Sequence, residues 1–484
     1  MITIAAKNFI GGSWRKGEPT LQTHNPAELS QIAGVAQDAT KEDINDAVLE
    51  ATQALEKWQS FGSAKRSDFI DNFVQTLRRY SREMANYLTH ECGFPLKEAQ
   101  DEVHEAIRAG QCIAGLAQFR HGVAMSSCHP GVDVTTWRKP LGVVACIGSW
   151  RRPLSGPVCQ ILPSLIAGNT VVFKSSEKSL AVSQWLSRVF LESGLGEGMV
   201  NVLYGKGSTV GDELVRHTGI SAVLIDGRSS TIRSVSQNAV ANREIPVWSP
   251  STGESLVAIL DDANLDIAVN IALTSAFRAS GQLRSSARRI VVAESLVEAF
   301  SDRLRTAVLN LSVGDGMKHD SMIGPLINCD AVERYLEVCQ SIDEEHQVIL
   351  LKGDRLTGAI YDKGCFVSPT VLRANLSDLG SRLDTEPVGP IACIESFDTV
   401  ERAVSMINAS PSVQTLSIVT EGTTGWRYIR DRAKYTAGYV NHPTTLTACW
   451  DVDLALDRVT SHAVFVLGAR CNDQASVSKT TLPS

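Results

Sequence analysis

The chain has 484 residues, 43% of them hydrophobic and 20% charged, with a net charge of −7; that length exceeds what one hydrophobic core usually supports and predicts two or three domains. The mild acidity, without a basic tract or an aromatic-basic face, argues against a nucleic-acid partner. No apolar run approaches membrane-spanning length, and Met1 to Lys7 lacks a basic region followed by a long apolar one, so the expectation is a cytoplasmic protein with no membrane partner.

In chain order, Asn8-Phe9-Ile10-Gly11-Gly12-Ser13-Trp14 predicts a short hairpin whose glycines supply the turn. Thr40, with Asp43 three residues on, is an N-cap, and Ile44, Val48, Ala51, Leu55 and Trp58 then fall on one face of an amphipathic helix. A second helix is predicted from Ser67, with Phe69, Phe73, Leu77, Tyr80, Met84 and Leu88 on one stripe and Gly93 as its stop. Both stripes are expected to be core.

From residue 142 short apolar strands alternate with helices. Leu141 to Ile147, Thr170 to Lys174, Val200 to Tyr204 and Ala222 to Ile225 are the strands; Val158 to Ala167, Leu180 to Leu195 and the neighbourhood of Val210 to Arg216 are the helices. That alternation predicts a parallel sheet with helices on its faces, and ligands in such sheets sit at the carboxyl ends of the strands. Those ends carry Trp150-Arg151-Arg152, Lys174-Ser175-Ser176-Glu177, Gly205-Lys206-Gly207 and Asp226-Gly227-Arg228. Gly205-x-Gly207-x-x-x-Gly211 departs from dinucleotide spacing, so alone it is a weak nucleotide signal.

A second α/β unit begins near residue 253, with Leu256 to Leu260 as a strand and Asp261 to Asp266 capping the next helix. Strands near Ile349 and Ala392 and helices near Ala331 and Val400 continue it. Val132 to Trp137 and His462 to Leu467 are strands outside both units, and such strands often pair with another subunit. The 11 cysteines are scattered, with no Cys-x-x-Cys pair and no histidine cluster at metal-ligand spacing, so reduced core thiols are expected and no metal.

The segment Gly281-Gln282-Leu283-Arg284-Ser285-Ser286 lies between the helix ending near Phe277 and the strand Arg288 to Val292. A tight glycine turn there is a good place to present a reactive side chain. Arg284 stays protonated at any working pH, so it neither attacks a carbonyl nor shuttles a proton.

About residues 7 to 470 resemble the NAD(P)-dependent aldehyde dehydrogenase superfamily. The resemblance is carried by Asn8 to Trp14, Arg138-Lys139-Pro140-Leu141-Gly142-Val143-Val144, Ala167 to Lys174, Leu260 to Asp266, Gly324-Pro325-Leu326-Ile327 and Gly438-Tyr439-Val440-Asn441. It implies an α/β chain with a Rossmann-like cofactor domain (1–123 and 142–252), a catalytic-type α/β domain (253–445) and a small β oligomerisation arm (124–141 and 456–484). It also implies dimers or dimers of dimers.

The family's chemistry uses three groups, and this chain departs from each. The cysteine after Gly-Gln-x, which attacks the aldehyde as a thiolate, is replaced by Arg284. The asparagine that stabilises the oxyanion is replaced by Arg151, after Ser149-Trp150. The glutamate that activates the deacylating water falls at Pro250, in Ser249-Pro250-Ser251-Thr252-Gly253. Ser285 and Ser286 have no histidine placed locally as a base, and Cys449, in the segment that lines the family's substrate entrance, is the alternative nucleophile.

For the cofactor, Trp150, Lys174 and Glu177 match family positions around the adenosine ribose, Gly227 matches the turn after the strand, and Glu386 matches the carboxylate on the nicotinamide ribose. Glu177 favours NAD over NADP. The family's Phe-Thr-Gly-Ser turn is Ile225-Asp226-Gly227-Arg228 here, and the aromatic before Gly389-Pro390 is Val388. Arg228 either pairs with a pyrophosphate or fills its place.

Arg151 and Arg284 are expected to point into the family's aldehyde tunnel, where two buried guanidinium groups demand anions. They either bind a small carboxylate or phosphate, or are neutralised by Asp226, Glu386 or another internal acid; the second is the expectation. The chain is therefore expected to be an aldehyde dehydrogenase-like pseudoenzyme acting as a binding or assembly subunit. Its partners are copies of itself or an active relative. The alternative is an NAD-dependent oxidoreductase acting on aldehydes through a rearranged site.

Overall fold

The computed structural model describes residues 2–116, 124–126, 132–243, 245–249, 253–342, 348–374, 388–444 and 459–467. Pro250, Glu386 and Cys449 lie outside these, as do parts of the 124–141 and 456–484 segments.

The first large sheet has seven strands in the order Val247–Trp248, Ala222–Ile225, Val143–Ile147, Thr170–Lys174, Val200–Leu203, Phe9–Ile10 and Ser13–Trp14. The first five run parallel, and the N-terminal hairpin closes one edge antiparallel, with Gly11 and Gly12 at positive φ in its turn. Every residue of Val143–Ile147 and Thr170–Lys174 is buried, as expected for strands covered by helices on both faces. The register pairs Ile147 with both Lys174 and Ile225, and Lys174 with Leu203. The strands thus end level, and the residues that follow them share one edge.

The second sheet, also of seven strands, runs Val348–Leu351, Thr370–Arg373, Ile391–Phe397, Ala287–Ala293, Glu254–Ile259, Val413–Val419 and Ala437–Val440. Only Val348–Leu351 is antiparallel to its neighbour. Arg289 occupies a central strand because two carboxylates on adjacent strands meet it: Glu395 at 2.9 Å and Glu254 at 3.0 Å, all three side chains at most 5% exposed. A smaller sheet holds Ile4–Ala6, Glu28–Ala36 and Leu21–Asn25. A further one joins Thr460–Leu467, Asp133–Pro140 and Ala124–Ser126. The two strands expected to stand apart therefore pair with each other, antiparallel from Thr460↔Pro140 to Leu467↔Asp133.

The helix Lys41–Ser60 carries the expected capping box, in which the Thr40 side chain accepts from the Asp43 N–H and Asp43 reaches back to the Thr40 N–H. The stripe that predicted one helix from Ser67 belongs to two, Ser63–Arg79 and Ser81–Cys92. The break at Tyr80 leaves its ring at the edge, 5.3 Å from Trp185, with its hydroxyl donating to Glu192, while Met84 and Leu88 turn inward. Gly93 stops the second helix at φ 79°, where a Cβ would lie 2.9 Å from Pro26. The predicted helix near Val210 is a π-turn, Gly207–Gly211, running into Asp212–Arg216. Among the described residues no helix is long and apolar enough to cross a membrane, and no group of three or more His, Cys, Asp or Glu side chains is arranged to hold a metal ion.

Candidate functional site

The helix Leu265–Phe277 begins at Asn264, whose side chain accepts from the N–H groups of Asp266 and Ile267. It ends in an abrupt turn: Ala279 (φ 48°), Ser280 (φ 56°) and Gly281 (φ 67°) are all left-handed. For residues with a side chain this conformation costs about 1–2 kcal/mol each, so the surroundings must hold it. The Ala279 N–H donates to Glu98 Oε2 at 2.7 Å and the Ser280 hydroxyl to the Gly324 carbonyl at 2.8 Å. The Gln282 side-chain amide donates back to the Ala279 carbonyl and accepts from the Ile327 N–H at 3.0 Å. At Gly281 a Cβ would stand 2.3 Å from the Gly389 carbonyl oxygen. The turn is a rigid mount, and what it presents is Arg284.

The Arg284 Nε donates to Asp226 Oδ1 at 3.1 Å, and the two side chains are 13% and 8% exposed. Asp226 directly follows the strand Ala222–Ile225 of the first sheet, so the pair ties one α/β unit to the turn of the other. The Ser255 hydroxyl holds the Arg284 carbonyl at 3.0 Å, and the Thr444 hydroxyl holds that of Ser285 at 2.7 Å. Arg151 is also buried; its Nε donates to the Gln282 carbonyl at 3.1 Å. Its guanidinium lies 5.2 Å from the Trp150 ring centroid, and the Lys178 ammonium lies 5.8 Å from that ring. The two arginines therefore meet one turn, Arg151 through its carbonyl and Arg284 as part of it. Arg284 has an internal acid for its anion.

A feature that the sequence did not disclose completes this arrangement. The helix Leu96–Leu116 presents Glu98, Asp101, Glu102 and Glu105, one edge at helical spacing, toward the site. Glu102 accepts from the Ser155 N–H and hydroxyl at 2.8 Å each, capping the helix Ser155–Ile166. Glu105 pairs with Arg152 at 3.4 Å and Asp101 with Arg278 at 3.7 Å. Burial pushes the Glu98 carboxyl up to about 7, against the pull of Arg278, and raises that of Glu105 against Arg152. Glu98, Asp101 and Arg278 also line a cleft of about 400 Å³ behind the turn, with Phe277 and His319. The i, i+3, i+4, i+7 run of acids was the available signal; on an isolated helix it also describes a solvated face.

On the first sheet, Lys174 ends its strand 3% exposed. Burial lowers its ammonium to about 8, although the carboxylates of Glu177 and Asp38 favour the charged form. An ammonium donor at the carboxyl end of a parallel strand suits a ligand that brings hydroxyl groups, as the adenosine ribose of NAD does. Glu177 is exposed on the same loop. Gly227 is less diagnostic, since a Cβ there would meet Thr231 at an ordinary 3.6 Å. Lys174 ends its strand, and Trp150, Glu177 and Gly227 follow the level strand ends. Glu386 and Pro250 are outside the described residues.

The family profile described as the aldehyde dehydrogenase family matches residues 14–451. The chain is 29% identical over 416 residues to the α-ketoglutaric semialdehyde dehydrogenase of Bacillus subtilis (strain 168), covering 86% of this chain and 85% of that protein. Its fold superposes on the lactaldehyde dehydrogenase of Escherichia coli with a TM-score of 0.89 at 25% identity, over 97% of this chain and all of that one. An NAD+ complex of an aldehyde dehydrogenase from Bacillus cereus gives 0.89 at 24% identity, over 96% of each chain.

Proposed function

The chain belongs to the aldehyde dehydrogenase family, and from that premise we propose that it is a member without aldehyde oxidation, acting as a binding or assembly subunit. The observation that carries this is the Arg284–Asp226 pair at 3.1 Å. The place where the family resemblance puts a thiolate holds a permanent cation, bound to an acid that the same chain supplies. An arginine forms no thiohemiacetal, and with no covalent adduct there is no oxyanion for Arg151 to stabilise. The pairing of Arg284 with Asp226 and the bond from Arg151 to the Gln282 carbonyl support a site filled by the chain's own groups rather than by a small anionic ligand.

The test is aldehyde-dependent NADH formation by the purified protein, with short aliphatic aldehydes and dicarboxylic semialdehydes, the latter being the class in the name of the Bacillus subtilis relative. No turnover above the protein-free rate is expected. Appreciable turnover, abolished by changing Cys449 or Glu386, would sink the proposal and establish an NAD-dependent oxidoreductase with a rearranged site.

The position of Lys174 at the carboxyl end of its strand, with Glu177 on the loop that follows, supports NAD binding that outlasts the chemistry. When bound, NAD supplies a hydride acceptor; Lys174 and Glu177 would hold its adenosine ribose, and Trp150 would lie beside it. Calorimetry with NAD is expected to show saturable binding that Lys174→Ala weakens. An absence of heat at millimolar NAD would leave an assembly subunit alone, whose partners are copies of this chain or an active relative.

A further inference from the structure

Cys329 and Cys365 lie 36 positions apart, with their sulfurs at 3.8 Å. Cys329 is the first residue of the helix Cys329–Gln340 and is exposed; Cys365 is completely buried. A disulfide has its sulfurs about 2.05 Å apart, so closing the bond requires an approach of under about 2 Å by a helix end and a loop. Among the described cysteines Cys329 alone is exposed, the others being buried or partly so. One thiol faces solvent, where an oxidant arrives, and the other waits directly behind it.

The position is connected to the catalytic-type turn. The Leu326 N–H donates to the Cys365 carbonyl at 2.8 Å, the Ile327 N–H to Gln282, and the Gly324 carbonyl accepts from Ser280. On its other side the Cys365 N–H donates to the Pro26 carbonyl at 2.8 Å. A bond between the two sulfurs would thus fasten the segment that holds Gln282 to the loop behind it.

We infer that Cys329 and Cys365 are a redox pair that closes to a disulfide in the presence of hydrogen peroxide and reopens with a dithiol. Cys329, as thiolate, attacks the peroxide O–O bond and takes one oxygen as sulfenic acid, and the other oxygen leaves as water. The Cys365 sulfur then attacks the Cys329 sulfur and expels the sulfenic oxygen as a second water. The two thiol hydrogens end in the two waters, each sulfur is oxidised by one electron, and the peroxide is reduced by two. Burial pushes the Cys365 thiol up to about 12, which suits it to second place: it stays protonated until an electrophilic sulfur forms beside it.

The experiment treats the purified full chain with a small excess of hydrogen peroxide, then alkylates it and maps it without reduction. The expected result is a Cys329 peptide joined to a Cys365 peptide, two fewer alkylatable thiols after denaturation, and recovery of both with dithiothreitol. Cys329→Ser, an exposed change that leaves the core intact, should remove the link. Cys365→Ala should leave a sulfenic acid on Cys329 that dimedone traps. The inference is overturned if wild-type Cys329 is recovered as sulfinic acid or as a mixed disulfide while Cys365 alkylates on unfolding, or if Cys329 links to another cysteine.

Discussion

At the scale of single residues, the site is governed by where charge is left when a partner is removed. Asp226→Ala would strand the Arg284 guanidinium, 13% exposed, without its carboxylate; breaking such a buried pair costs about 3 kcal/mol. Removing both with Asp226→Leu and Arg284→Met is expected to cost much less, since no charge is then abandoned. Urea unfolding of the two variants checks this, and an Asp226→Ala protein as stable as wild type would mean that the pair does not hold the turn. Lys174 gives a second prediction, with a sign in pH. Its ammonium falls from 10.5 to about 8 on folding, so between those values the unfolded chain binds more protons and stability rises with pH. Below 8 the full cost of the buried charge is present, roughly 3 kcal/mol. Lys174→Met is therefore expected to be more stable than wild type at pH 7 by up to about that amount, with the advantage shrinking as pH rises from 8 toward 10.5. A constant difference across that range would show that Lys174 is not desolvated.

At the scale of elements, the turn at 279–282 is the part with least freedom. Gly281→Ala adds a Cβ 2.3 Å from the Gly389 carbonyl at φ 67°, where the obstructing atom is backbone and does not rotate away. The expected loss is about 3 kcal/mol or more, with the change felt as faster amide exchange at Ile327, which leans on Gln282. An unchanged unfolding midpoint would refute the close packing. The glycine there was legible in the sequence as a turn, and the strands Thr170–Lys174 and Ala222–Ile225 were legible to the residue, because buried parallel strands are short apolar runs between helices. Ala279 and Ser280 were not, since neither residue type announces a left-handed backbone that only its tertiary hydrogen bonds sustain. The break at Tyr80 was hidden for a related reason: the apolar stripe continues through it with helical spacing. The Arg284–Asp226 pair, 58 positions apart, had a legible demand, a buried cation in need of an acid, and the level strand ends of the first sheet decide which acid answers it.

At the scale of the whole molecule, the open question is what covers its sheet edges. Thr460–Leu467 and Ala437–Val440 are the last strands in the order of the small sheet and of the second large sheet. Trp137 on the small sheet is 55% exposed, Met125 elsewhere on the same sheet 49%, and Val440 on the large sheet 40%. Large apolar side chains exposed at terminal strands invite another chain, and an assembly of two or four copies would supply it. Light scattering on the eluting protein is expected to give a multiple of the single-chain mass, and Trp137→Glu to move it toward one chain without changing the far-ultraviolet circular dichroism. If the chain runs alone as a monomer, the same edges remain available to an active relative. Co-expression should then give a mixed assembly that Trp137→Glu also disperses; a monomer that pairs with neither would remove assembly from what this chain does and leave ligand binding at the strand ends that carry Lys174 to account for it.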